Sequence, residues 1–225
     1  IKNGVARHPL HRMKTPINMS LGEREHIAIV GSNTGGKTVL ADTIIGKYPL
    51  LMNEVIYDFS PSISESAFDN IKYIAFRDTY GDADGGYYYQ QRWNSTDLDS
   101  IPIVKDLLPE TDNLELKNKL YDLFHINSLL DKHVISLSSG ELRKFQLTKT
   151  LLSNPRVLIM DNPFIGLDAQ TRDLLRNLLN DLTHLGYLQI VLVLSKSDDI
   201  PDFITHVIPV EGMICERKMT REEYI

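Results

Sequence analysis

Three stretches of the chain are apolar at nearly every position: residues 27–30 (Ile-Ala-Ile-Val), 156–160 (Arg-Val-Leu-Ile-Met) and 190–194 (Ile-Val-Leu-Val-Leu). Each has the length of a strand and is too short for a helix of its own, which fits strands buried on both faces. Weaker runs at 54–59 and 71–76 predict further strands, and 204–209 with 213–215 a terminal hairpin. Between the strands the period changes. Residues 38–45 predict a helix stopped by Gly46 and Pro49, 138–153 a second helix, and 170–185 an amphipathic helix ending at Gly186. Leu107, Leu108, Leu116, Leu120, Leu123 and Phe124 recur at helical spacing and predict a small helical subdomain over about 100–155. Apolar strands alternating with helices predict an α/β fold on a mainly parallel sheet.

Residues 78–100 break the pattern. Gly81, Gly85 and Gly86 lie among Asp, Asn and Ser, followed by Tyr87-Tyr-Tyr-Gln-Gln-Arg-Trp93, and predict a long loop. Loops of that length are functional or disordered more often than not. An aromatic patch from Tyr87 to Trp93 would suit a docking groove, and packing on its own domain is the alternative.

Composition narrows the class. With 225 residues, 42% hydrophobic and 24% charged, the chain can bury the core of one sizeable domain. A net charge of −6 gives no global field toward nucleic acid or anionic lipid, and Arg92 is the lone base among acids in the aromatic loop. Nucleic acid is therefore not an expected partner. One cysteine, Cys215, excludes an internal disulfide, suggests a half-buried apolar residue, and fits a reducing, cytoplasmic setting. No apolar run approaches the ~20 residues of a membrane span. The chain begins at Ile1 without a methionine, which predicts a segment of a longer protein.

The chemistry is carried by Gly31-Ser32-Asn33-Thr34-Gly35-Gly36-Lys37-Thr38, followed by Val39. It fits G-x-x-x-x-G-K-[ST] between a predicted strand and a predicted helix. In that pattern backbone N–H groups cradle phosphates, the lysine reaches the β and γ phosphates, and the hydroxyl serves Mg²⁺. Lys37 and Thr38 are the expected phosphate and metal residues. The 156–160 strand ends in Asp161, where phosphate-loop proteins place the acid that holds the Mg²⁺ shell. ATP and Mg²⁺ are the expected cofactors.

Leu137-Ser138-Ser139-Gly140-Glu141 resembles the signature of the ABC ATPases, usually written L-S-G-G-Q, and Gly166-Leu167-Asp168 follows Asp161 in that family's order. The chain is identified as a member of the ABC ATPase family. Leu-Ser-Ser-Gly-Glu-Leu-Arg-Lys, with Asn-Pro-Phe-Ile-Gly-Leu-Asp after Asp161, is most similar to the ModF-like branch of tandem ABC ATPases associated with molybdate transport and photorepair. The resemblance implies a P-loop NTPase fold with an antiparallel β part near the N-terminus. It implies that Ser138, Ser139, Gly140 and Glu141 face the γ-phosphate held by a partner domain, and that Asp168 is the D-loop acid at the dimer interface. His8 falls near the position of the adenine-stacking aromatic, with a plain loop residue as the alternative.

Three positions depart from the family. Asn162 stands where the catalytic glutamate follows the magnesium aspartate, and an amide cannot take a proton from water; such general-base help is worth ~10²–10⁴-fold. Ser195-Lys196 stands where the switch histidine follows the third apolar strand, and Phe76 stands at the Q-loop glutamine, with Gln90 or Gln91 as substitutes if the loop folds back. The expectation is an ATP site that binds but turns over slowly or not at all, beside a nearly intact signature that serves a partner's nucleotide. The implied partner is a second ABC domain, expected in the same polypeptide, in a head-to-tail dimer. A membrane permease at the inner face of a membrane is a further partner the family allows, and a nucleotide-gated module without useful hydrolysis is the competing class.

Overall fold

The computed structural model describes residues 1–52, 55–76, 102–184, 186, 188–195 and 199–225. Two compact units emerge, one from Ile1–Arg77 with Pro155–Ile225, the other from Asp78–Asn154.

The first unit is built on a sheet. Its strands are β1 (Ile27–Gly31), β2 (Ile71–Ala75), β3 (Val157–Asp161), β4 (Gln189–Ser195), β5 (His206–Glu211), β6 (Ile214–Cys215) and β7 (Met219–Thr220). They run in the order β2-β3-β4-β1-β5-β6, with β7 also on β5. The pairings β2·β3, β3·β4, β4·β1 and β1·β5 are parallel, and β5 meets β6 and β7 antiparallel. All five positions of β1 and of β3 are buried, as continuous apolar runs demand of strands covered on both sides.

One face of the sheet (Ile27, Ile29, Val157, Ile159, Val191, Val193, Ile208, Val210) closes over Leu40, Ala41 and Ile44 of α1 (Lys37–Ile44). Each such side chain taken fully out of water contributes about 1.5–3 kcal/mol. Leu175, Leu178, Leu179 and Leu182 form the buried stripe of the predicted amphipathic helix, Ala169–Thr183.

One expectation changes. Residues 55–59 form no strand; Glu54 lies outside the described residues. The segment is held by side chains instead, with Tyr57 Oη donating to the Ile44 carbonyl at 2.8 Å, Phe59 buried and Ile56 90% exposed. Strand-like composition does not create a partner edge, and here none is paired. Antiparallel pairing near the N-terminus takes the form of bridges at Gly4–Ile17 and Ala6–Leu50 among the described residues, and further antiparallel strands stand at the other end of the chain.

The helical unit contains α-helices Val104–Leu107, Leu114–Phe124 and Ser139–Leu152. Asn113 caps the second by accepting from Leu116 N–H, and Leu116, Leu120 and Phe124, four residues apart, are its buried stripe. Among the described residues no helix is long and apolar enough to cross a membrane.

Candidate functional site

The expected phosphate loop lies where β1 becomes α1. Gly31 closes β1 beside Ser195 of β4, and an added Cβ there would sit 1.8 Å from the Val210 carbonyl oxygen. A side chain on Gly35 would stand 2.7 Å from the same oxygen. Gly36 caps α1 with φ +103°, a left-handed conformation that favours glycine, beside the Met213 sulfur. The glycines are thus demanded by β5 and its hairpin as well as by any ligand.

That hairpin grips the loop. Glu211, ending β5, accepts from Ser32 Oγ at 2.7 Å and from Ser32 N–H at 3.4 Å, and Met213 N–H donates to the Gly35 carbonyl at 2.8 Å. Lys37 is buried, its ammonium donating to the carbonyls of Gly31 (2.8 Å) and Ser32 (2.7 Å). Asn33, Thr34 and Thr38 are exposed, and Val39 is half-buried. Glu211 and Met213 were not signalled by sequence, because their partners lie far away in the chain.

Asp161 ends β3, which β4 separates from β1, at the same carboxyl end of the parallel strands. It is 6% exposed, and both carboxylate oxygens accept hydrogen bonds: Oδ2 from Tyr73 Oη at 2.9 Å and Oδ1 from Asn162 Nδ2 at 2.9 Å. Asn162 has φ +52°, a conformation Asn adopts more readily than most side chains, and its N–H donates to Val193 O. Its amide is therefore turned onto the aspartate as a donor. A hydroxyl (Thr38) and a carboxylate (Asp161) are hard oxygen donors of the kind Mg²⁺ takes beside phosphates and water, so this donor set fits that ion.

Phe76, at the Q-loop position, is 3% exposed and donates its N–H to Asp161 O. Ser195 is half-buried; Lys196, Gln90, Gln91 and the Tyr87–Trp93 patch lie outside the described residues. Asp168 is exposed just before the Ala169–Thr183 helix, whose Arg172 N–H donates to its carbonyl. His8 is exposed, its Nδ1 accepting from Leu10 N–H; its neighbour His11 stacks on Tyr48 with ring centres 3.8 Å apart. Cys215 is half-buried, and burial pushes its thiol up to about 11.

In the helical unit the signature residues start a helix. Ser138 is the N-cap, accepting from Glu141 N–H, while Glu141 accepts from Ser138 N–H, a reciprocal capping box. Lys132 donates to Glu141 at 2.8 Å, and this contact with the Ser138 hydrogen bonds holds the Glu141 carboxyl down to about 2. Gly140 is exposed, with nothing within 4 Å of an added Cβ. Ser138 and Gly140 therefore present an open helix N-terminus.

Comparison with known proteins bears on this arrangement. The family described as "ABC transporter" matches residues 15–165. The chain is 27% identical to an ABC transporter ATP-binding protein of Schizosaccharomyces pombe over 98% of its own length and 46% of the relative's. It is 31% identical to the ABC transporter ATP-binding protein ModF of Escherichia coli over 83% of its length and 36% of ModF. It thus spans less than half of either relative. Among solved structures, the ADP conformation of an ATP-binding cassette of an ABC transporter superposes with TM-score 0.70 at 15% identity, covering 98% of this chain and 90% of that one, which speaks for the fold. The family match across most of the chain, on the fold those structures share, makes this protein a member of the ABC transporter ATP-binding family, in the neighbourhood of ModF.

Proposed function

We propose that this chain is an ATP-binding domain that holds Mg·ATP with little turnover and closes against a second ABC domain, to whose nucleotide it offers its signature. The observation carrying the first half is the residue after Asp161. In place of a base, Asn162 supplies an amide donor spent on Asp161 Oδ1. Nothing at that atom can take a proton from an attacking water.

Lys37 and the amides of the phosphate loop bind the phosphates once the ammonium leaves the Gly31 and Ser32 carbonyls. Thr38 and Asp161 hold the metal, which when bound offsets charge on the phosphates. In the head-to-tail arrangement Ser138, Ser139 and Gly140 meet the partner's γ-phosphate at a helix N-terminus, where backbone N–H groups and the helix dipole favour an anion. Asp168 lies at the seam between domains. The loss of chemistry concerns this domain's own nucleotide, so the dimer is asymmetric, and its working site stands on the partner's phosphate loop. The partner belongs to the same polypeptide, in keeping with relatives about twice this length.

A second reading, an ATP-binding subunit docked on a membrane permease, draws on the transporter descriptions those relatives carry. The test is ATP binding and hydrolysis by the chain, with Lys37→Ala and Asn162→Glu. The expected result is Mg·ATP binding without appreciable turnover, lost in Lys37→Ala, and turnover raised about tenfold or more in Asn162→Glu, within the range of general-base catalysis. Vigorous wild-type hydrolysis abolished by Lys37→Ala would refute it.

A further inference from the structure

We infer that Tyr73 is a positioning residue for the magnesium carboxylate, acting through Asp161; this rests on the Mg·ATP reading above. Tyr73 lies on β2 opposite Ile159, and the next residue on that face, Ala75, lies opposite Asp161. Strand residues two apart share a face, so Tyr73 stands diagonally below Asp161 on the side where α1 packs. The ring packs against the core while the hydroxyl reaches Oδ2 at 2.9 Å. An ionised aspartate is an acceptor only, so the Tyr73 O–H donates.

The consequence is geometric. Asn162 holds Oδ1 from the following residue and Tyr73 holds Oδ2 from a neighbouring strand. Two donors from independent elements fix both the rotamer and the plane of the carboxylate. Hydrogen bonds that orient a metal-site carboxylate are worth about 10–100-fold in metal affinity. The plain alternative is a core tyrosine that has found an acceptor for its hydroxyl.

The two separate by the metal dependence of nucleotide binding. Binding of a fluorescent ATP analogue to the wild-type chain and to Tyr73→Phe is titrated in EDTA and over a series of Mg²⁺ concentrations. Tyr73→Phe keeps the ring, so metal-free affinity is expected to stay within about twofold while the Mg²⁺ needed for half-maximal enhancement rises about tenfold. An unchanged or lower Mg²⁺ requirement, or equal losses with and without metal, overturns the role of Tyr73 and leaves the ATP site standing. Wild-type binding indifferent to Mg²⁺ overturns it too, and a wild-type chain that binds no ATP overturns both readings.

Discussion

Gly31 and Gly140 both belong to the proposed nucleotide motifs, yet the structure gives them opposite reasons to be glycine. A methyl on Gly31 would lie 1.8 Å from the Val210 carbonyl oxygen, where carbon and oxygen need about 3.3 Å. The loop or β5 would have to retreat by about 1.5 Å, by difference from that contact distance. Neither is free to do so: Gly31 is paired with Ser195 on one side, Val30 with Pro209 on the other. Overpacking of this kind costs about 1–3 kcal/mol, occasionally more, and the clash with backbone puts Gly31→Ala near 3 kcal/mol. For a chain of this size that lowers the melting temperature by roughly 6–12 °C. Gly140 meets nothing within 4 Å and sits in the first turn of a helix, where alanine is favoured by about 0.5 kcal/mol. Gly140→Ala is therefore expected to melt at or slightly above wild type while weakening ATP-driven association with the partner domain, whose phosphate its methyl would face. Circular dichroism melts without nucleotide, then sedimentation with partner and ATP, read both effects. A Gly31→Ala melt within about 1 °C of wild type would refute the clash argument, and a clear loss of stability in Gly140→Ala would mean that glycine serves its own helix.

Glu211→Ala removes the acceptor for both Ser32 donors; losing a hydrogen bond to a charged group costs about 1.5–3 kcal/mol, which predicts ATP affinity lowered about tenfold or more in fluorescence titration while Glu211→Gln loses less. His26 is buried and accepts from Ile190 N–H through Nδ1, so desolvation lowers its pKa from the ordinary 6.5. The unfolded chain then binds more protons, so this contribution is complete above pH 6.5 and is lost as pH falls through the lower folded value. Urea unfolding at stepped pH should show that decline, flattened in His26→Phe.

The strands Ile27–Gly31, Val157–Asp161 and Gln189–Ser195 were legible because burial on both faces leaves continuous apolar runs, and the phosphate loop was legible because its spacing is local. Asn162 after Asp161, on which the proposal of slow turnover rests, was legible too, since its place is fixed by the chain. The sequence could not show what Asn162 does, because its hydrogen bond to Asp161 depends on a left-handed backbone set by tertiary structure. Nor could it show Tyr73 beneath Asp161, or Glu211 on Ser32, partners 88 and 179 residues apart. Residues 55–59 mislead for the same reason: composition reports what a segment would bury, whereas a strand also needs a neighbour with free backbone groups. Local spacing marked the phosphate-loop pattern; the pairing of distant strands decided which side chains hold that loop in shape, because hydrogen bonds form across space and leave no period in the chain.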